Sequence, residues 1–419
     1  MIIHPSTVAI IADDLTGAND SALQFQQQGA AVQILLDTKN EPVNLENTQT
    51  WAISTESRNI EPVEAYKKVT QAARFFKEKI NPDFYYKKID STIRGNIAVE
   101  VLALLDELDF DVSVIIPAFP AESRVTVGGY HLLRGVPIER TEMARDPYSP
   151  IFESHLPTLL KSQLDEESKD LVGLIELKTV MKGAGPIIRE LNNLISQGKK
   201  LIVTDAMSTV DIEQVILAIG KCEHKILPTG TAAAARILSR EWLPDLEPQQ
   251  FANTLPELPK FVVSGSATLI TSNQIDKLDE SDEFENQLII SLDMKTILGG
   301  VTDELVDRVV NNLGNNNIVV VHTSKLIRDF DGFSEDSLKA ELTKASLAWV
   351  ITDFLAELTK RVIDKKKTIL ITLGGETSYK CCSAIGATQL QLIDEVAPAI
   401  ALSKANSEQW IVTKSGNLG

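Results

Sequence analysis

The chain of 419 residues carries 58 Asp and Glu against 41 Lys and Arg, a formal net charge of −17, with 43% hydrophobic residues. That length suits two or three domains with sizeable cores, and the acidic balance argues against nucleic acid or an anionic membrane as the main partner. No basic segment precedes the first apolar run, which stops at Asp13, and no apolar stretch approaches the roughly 20 residues of a membrane span. These features predict a cytoplasmic protein. Cys222, Cys381 and Cys382 form no Cys-x-x-Cys pair, and none of the five histidines lies within ligand spacing of another, so a reducing compartment without a structural zinc is expected.

Strand-like and helix-like segments alternate along the chain, the pattern of α/β domains with mainly parallel sheets. Strands are predicted at 8–12, 31–36, 51–55, 83–89, 112–117, 201–205 and 225–227. Between them, 61–79 reads as an amphipathic helix, with Val63, Tyr66, Val69, Ala73, Phe76 and Ile80 on one face. Residues 118–150 break the rhythm with several Pro and Gly and read as a functional loop. Residues 241–259 carry four prolines and mark a linker, which divides the chain into a domain at 1–240 and another at 260–419. In the second domain strands are expected near 260–264, 287–291, 317–322 and 367–373, and helices near 268–280, 302–313 and 335–363.

Chemistry concentrates where strands end. The first strand runs into Asp13-Asp14-Leu15-Thr16-Gly17, and strand alternation sends adjacent carboxylates to opposite sides, one toward a ligand and one toward the loop. Capping of the next helix is the competing reading. The strand at 83–89 runs into Lys87-Lys88-Ile89-Asp90-Ser91-Thr92-Ile93-Arg94-Gly95-Asn96, a cluster suited to an anion, since Lys supplies a point charge and Arg a two-pronged fork. Ser54-Thr55-Glu56-Ser57-Arg58 follows another strand, and Arg58 is either a second grip on the same anion or part of a surface cap. The stretch 116–131 brings Arg124, Thr126, Gly128, Gly129 and His131 into a lid or binding loop. For His131 a structural hydrogen bond and a catalytic role are both open. In the second half, Ser264-Gly265-Ser266, Gly374-Gly375-Glu376-Thr377 and Thr413-Lys414-Ser415-Gly416 each follow a strand, where glycine admits backbone N–H groups to phosphates. The common phosphate-loop, protein-kinase, dinucleotide and nucleophile-elbow signatures do not occur.

Taken together, the phrases at 12–20, 54–58, 87–96, 264–266, 374–377 and 413–416 resemble, in order and spacing, the four-carbon acid sugar kinase family over nearly the whole chain. The resemblance implies two α/β domains with an active site in the cleft between them. The first would hold the sugar acid and the second ATP, with Mg²⁺ neutralising phosphate charge. It implies transfer to the terminal hydroxyl of threonate, erythronate or an oxo-tetronate. Asp13, Asp14, Arg58, Lys87, Lys88, Ile89, Asp90 and Arg94 would contact substrate, with Asp13, Asp14 and Asp90 as catalytic acids. Ser264, Ser266, Gly374, Gly375, Glu376, Thr377 and Gly416 would contact ATP. No metal-ligating residue is assigned, and a homo-oligomer is compatible with the sequence. The chain departs from the family's usual pattern at Ser123, where relatives place Gly before the loop arginine, at 229–233, and at Pro398-Ala399-Ile400-Ala401, where they place a Pro-Gly turn. Two alternatives share these features: a kinase of another small hydroxy acid, and a sugar-acid sensor without turnover.

Overall fold

The computed structural model describes residues 6–146, 148–248, 255–266, 268–281, 287–315, 318–324, 326, 344–406, 408–416 and 418. They form two compact units, 1–250 and 251–419. In the first, the strands are β1 (Val8–Ala12), β2 (Val32–Leu35), β3 (Thr50–Ser54), β4 (Phe84–Lys88), β5 (Val112–Ile116), β6 (Arg124–Val127), β7 (Tyr130–Leu133), β8 (Val136–Pro137), β9 (Val172–Ile175), β10 (Leu201–Thr204) and β11 (Ile226–Gly230). Eight of them make a parallel sheet in the order β2-β3-β1-β4-β11-β5-β10-β9. Every residue of β1 is buried, as expected when helices cover both faces of a parallel sheet.

Alternation divides β1 between two cores. Ala9 and Ile11 join Ile53, Val69, Phe76, Val101 and Leu104 in one cluster, under the helices Pro62–Lys79 and Ile97–Glu107. On Pro62–Lys79 the buried positions are Ala65, Val69, Ala72, Ala73, Phe75 and Phe76, with Tyr66 and Ile80 packed against the same cluster, so of the predicted face only Val63, 65% exposed, stays out of the core. Val63 falls in the first turn, beyond the edge of the sheet-facing stripe. The helix Ala232–Trp242 runs two residues into the expected linker, and Trp242 stacks on Phe84 with ring centroids 4.8 Å apart.

Residues 118–150 are more ordered than a loop. They hold β6, β7 and β8 as an antiparallel sheet of three strands, because Gly128 and Gly129, both at positive φ, close the β6–β7 turn. Ser123 enters β6 at φ 55, a left-handed position that glycine occupies more cheaply.

The second unit contains β12 (Lys260–Ser264), β13 (Gln287–Ser291), β14 (Ile318–His322), β15 (Ile369–Leu373), β16 (Gln389–Ala397), β17 (Ile400–Ala405) and β18 (Gln409–Lys414). Their order is β13-β14-β12-β15-β18-β17-β16, with β13 to β18 parallel and β17 antiparallel to both neighbours. The α/β reading therefore holds for both units, with an antiparallel edge on the second. Ala399 makes the β16–β17 turn at φ 61, so this departure from the family pattern, like Ser123, puts a non-glycine residue in a left-handed turn. Of the helix expected at 335–363, Lys344–Ile363 is observed, and 335–343 lie outside the described residues.

Candidate functional site

In the first unit, Ala12 is in register with both Ser54 and Lys88, and Lys88 with Gly230, which in turn pairs with Ile116. The loops after β1, β3, β4 and β5 therefore leave one carboxyl edge together. The chain passes from β1 to β2 and β3 on one side, then to β4 on the other, and a parallel sheet opens a crevice where its winding reverses in this way.

Arg58 organises that edge. Its Nε donates to Asp13 Oδ2 at 2.7 Å, its NH2 to Asp13 Oδ1 at 3.1 Å and its NH1 to Asp14 Oδ2 at 2.7 Å, while Asp90 Oδ1 lies 3.6 Å from NH2. The expectation that Asp13 and Asp14 project to opposite sides is thus corrected. β1 ends at Ala12, so strand alternation no longer governs them, and both turn to one guanidinium. Asp14 also caps the helix Leu15–Gln27, accepting from Gly17 N at 2.7 Å and Thr16 Oγ1 at 2.9 Å. The capping and site readings of Asp14 are compatible.

Arg94 repeats the arrangement after β4. Its Nε and NH2 donate to the two oxygens of Asp90 at 2.8 and 3.0 Å, and its NH1 to Asp146 at 2.7 Å. Thr92 Oγ1 also donates to Asp90. Ile93 reaches φ 57 in this turn, an uncommon conformation for a β-branched residue. Burial alone would raise the Asp90 carboxyl, but the Arg94 and Arg58 guanidiniums outweigh it and hold it well below the usual carboxylate range. Burial likewise opposes ionisation of Asp13, and Arg58, with Lys87 and Lys88 behind it, lowers that carboxyl. Acids held this low stay ionised and are poor proton acceptors.

The two lysines differ. Lys87 is fully buried, and its Nζ meets Glu100 at 2.6 Å and donates to Lys88 O at 2.9 Å. Its charge is paired inside the protein. Glu100, pushed up by burial, stands on the core-facing stripe of Ile97–Glu107. A lone acid in that stripe was the sequence signal for the pairing. Lys88 Nζ donates to Ile89 O at 2.9 Å, and a Cβ built on Gly17 would stand 3.1 Å from the same nitrogen, which places this ammonium over the start of the Asp14-capped helix. The Ile89 side chain lies in the core, and its N–H donates to Gly230 O.

His131 is structural. Its Nε2 lies 3.0 Å from Ser91 O, which only accepts, so Nε2 carries the proton and Nδ1 accepts from Thr126 Oγ1 at 3.0 Å. Burial pushes the imidazole down to about 4, with the Ser91 hydrogen bond pulling the other way. A histidine depressed in the folded state gives stability that is complete above its unfolded value near 6.5 and is lost as pH falls from there to about 4. The expected loss is about 3 kcal/mol, read as a fall in urea midpoint between pH 7 and 4. His131→Gln keeps a donor for Ser91 and should flatten that fall. An unchanged pH dependence in the variant would contradict the assignment.

In the second unit the register places Ser264, Leu373 and Lys414 side by side at the ends of β12, β15 and β18. The three glycine-bearing turns follow directly and pack together. A Cβ on Gly265 would come within 2.4 Å of Thr377 Oγ1, and one on Gly416 within 2.4 Å of Ser266 Oγ. Thr268 and Thr271 both donate to Gly416 O, at 2.6 and 3.0 Å. Gly374, at φ 108 and ψ 136, precedes the helix Gly375–Ala384, which no side chain caps. Its first-turn N–H groups, from Gly375 and Thr377, present the positive end of the helix. Ser264 Oγ is buried and has no hydrogen-bond partner among the described residues. Lys414, which stands in the third phrase without an assigned role, donates to Ser415 O at 3.0 Å and meets no carboxylate among the described residues. Burial lowers its ammonium to about 8. Uncapped N–H groups, crowded glycines and an uncompensated ammonium together suit a polyanion.

No set of three or more His, Cys, Asp and Glu side chains among the described residues could hold a metal ion, and no described helix is long and apolar enough to cross a membrane.

Comparison with known proteins assigns residues 8–238 to a sugar-binding N-terminal domain and 261–419 to a nucleotide-binding C-terminal domain. A D-erythronate kinase of Heliobacterium modesticaldum is 30% identical, with 99% of this chain and 94% of the relative aligned. A D-threonate kinase of Salmonella typhimurium is 28% identical over 98% and 95% of the two chains. A solved Salmonella typhimurium structure superposes with a TM-score of 0.77 at 22% identity, over 99% of this chain and 96% of that one, and shares the fold.

Proposed function

Because this chain belongs to the four-carbon acid sugar kinase family and is a phosphotransferase acting on a hydroxyl group, we propose that it uses ATP to phosphorylate the terminal hydroxyl of a four-carbon sugar acid. The reading rests most directly on the register of the second unit, which brings three glycine turns, an uncapped helix start and the Lys414 ammonium to one corner. That corner would take the ATP phosphates on the N–H groups of Gly375, Glu376 and Thr377, with Gly374 and Gly416 allowing close approach and Ser264 and Ser266 offering hydroxyls.

The carboxyl edge of the first unit would take the sugar acid. Asp13, Asp14 and Asp90, ionised and fixed by Arg58 and Arg94, would accept hydrogen bonds from substrate hydroxyls and aim the terminal one. Phosphoryl transfer passes through a loose transition state that demands position and charge balance more than a strong base. The low carboxyls of Asp13 and Asp90 suit orientation better than proton abstraction. Mg²⁺, which balances phosphate charge in such reactions, would be carried mainly on the nucleotide's own oxygens. Turnover of ATP across four-carbon sugar acids tests the proposal. The two relatives named above act on different acids by name, so the stereochemistry of the substrate belongs to that experiment.

A further inference from the structure

Among the described residues, every guanidinium of the first unit's cluster except one is clamped by carboxylates. Arg58 and Arg94 are clamped by aspartates, Lys87 by Glu100, and Lys88 leans on a carbonyl. The exception is Arg124. Its residue is 6% exposed, its Nε is buried without a hydrogen-bond partner among the described residues, and its one ion pair is a loose 3.6 Å contact from NH1 to Glu122, itself 38% exposed at the side chain. An unpaired guanidinium out of water is costly and is retained where a ligand completes it.

The backbone holds this side chain at the carboxyl edge. β5 ends at Ile116, in register with Gly230 and through it with Lys88. The turn that follows is closed by two hydrogen bonds, Phe119 N to Arg124 O at 2.8 Å and Arg124 N to Phe119 O at 3.1 Å. Two strand positions further on, Thr126 exchanges backbone bonds with Ala206 and meets His131, which is tied to Ser91 in the Asp90 turn. Burial lowers the proton affinity of the Arg124 guanidinium, with the charges of Asp90 and Glu122 pulling the other way.

Building on the sugar-acid reading, we infer that Arg124 binds the substrate carboxylate, its free Nε and a neighbouring N–H forming the two-pronged contact that neither the clamped guanidiniums nor a lysine ammonium can make. The terminal hydroxyl would then lie at the other end of the four-carbon chain. Arg124 thus sets the preference for an acid over a neutral polyol. Glu122, at the rim, balances the charge while the site is empty.

Equilibrium binding and turnover of D-threonate, L-threonate and D-erythronate, set against the neutral polyols threitol and erythritol, test this in wild type, Arg124→Met and Arg124→Lys. Arg124→Met should lose about 100-fold in affinity for the acid, lose the acid-over-polyol preference, and keep its KM for ATP within about twofold. Arg124→Lys, which keeps the charge without the fork, should fall between and serves if the Met variant does not fold. Acid affinity and preference unchanged in either folded variant would overturn the assignment while leaving the kinase reading intact. A wild type that binds none of the acids would overturn both.

Discussion

Arg58→Met should destabilise the first unit by about 3–5 kcal/mol, the cost of stripping the counter-charge from buried carboxylates. Three acids meet this guanidinium, whose side chain is only 11% exposed, and burial, which on its own would lower its affinity for a proton, is outweighed by Asp13, Asp14 and Asp90. The pH dependence carries the sharper signature. In the wild type the lowered carboxyls of Asp13 and Asp90 give stability that is present above their unfolded values near 4 and is lost as pH falls below them. Without Arg58 the remaining burial raises the Asp13 carboxyl in the folded state, so its contribution reverses and the variant loses stability as pH rises through and above 4. Urea unfolding at pH 4.5 and 7 reads both effects. Arg58→Lys should recover part of the loss, since one ammonium cannot reproduce a fork that reaches three carboxylates. A variant within 1 kcal/mol of wild type at pH 7 would show that the acids do not depend on it.

Gly374→Ala should weaken ATP binding by tenfold or more and leave sugar-acid binding unchanged. At φ 108 and ψ 136 the position lies where an L side chain is strained whatever space surrounds it, at about 1–3 kcal/mol. Relief of that strain would rotate the peptide that starts the helix Gly375–Ala384, moving the N–H groups assigned to phosphate. The bond from Gly374 N to Lys414 O, 2.9 Å, ties the same peptide to the end of β18, so the Lys414 ammonium would shift with it. Calorimetric titration with a non-hydrolysable ATP analogue separates the outcomes. Unchanged nucleotide affinity would move the phosphates away from this turn.

How far the sequence reveals these features follows from the range of the forces involved. The strand ends at 13–14, 87–96, 264–266 and 374–377 were legible because a buried β run that stops at charge or glycine is a local pattern. Which charge meets which is not local. Arg58 and Asp13 are 45 residues apart, and Arg94 and Asp146 are 52, so whether a cation serves the fold or a ligand depends on register between strands. The Lys87–Glu100 pair is hidden from the sequence because Glu100 lies one element away, and Arg124 reads as part of a lid because two glycines and two prolines mask the β6–β7 hairpin. β9 escaped notice because Gly173 weakens a run of only four residues, Val172–Ile175. β16, Gln389–Ala397, is an amphipathic strand of the antiparallel edge, and a search for continuous apolar runs passes over it. Ser123 and Ala399 stood out as departures from the family's glycines, but only the backbone gave the reason, since both occupy left-handed turns.

ATP turnover across D-threonate, L-threonate, D-erythronate and the oxo-tetronates, with the phosphorylated product identified, decides whether a sugar-acid site and a nucleotide site serve phosphoryl transfer in one chain. ATP-dependent formation of the 4-phosphate from at least one of these acids is expected. Binding of a sugar acid without turnover of any would contradict it and leave the sensor reading in its place, and turnover of a hydroxy acid outside the four-carbon set alone would assign the same machinery to a different substrate.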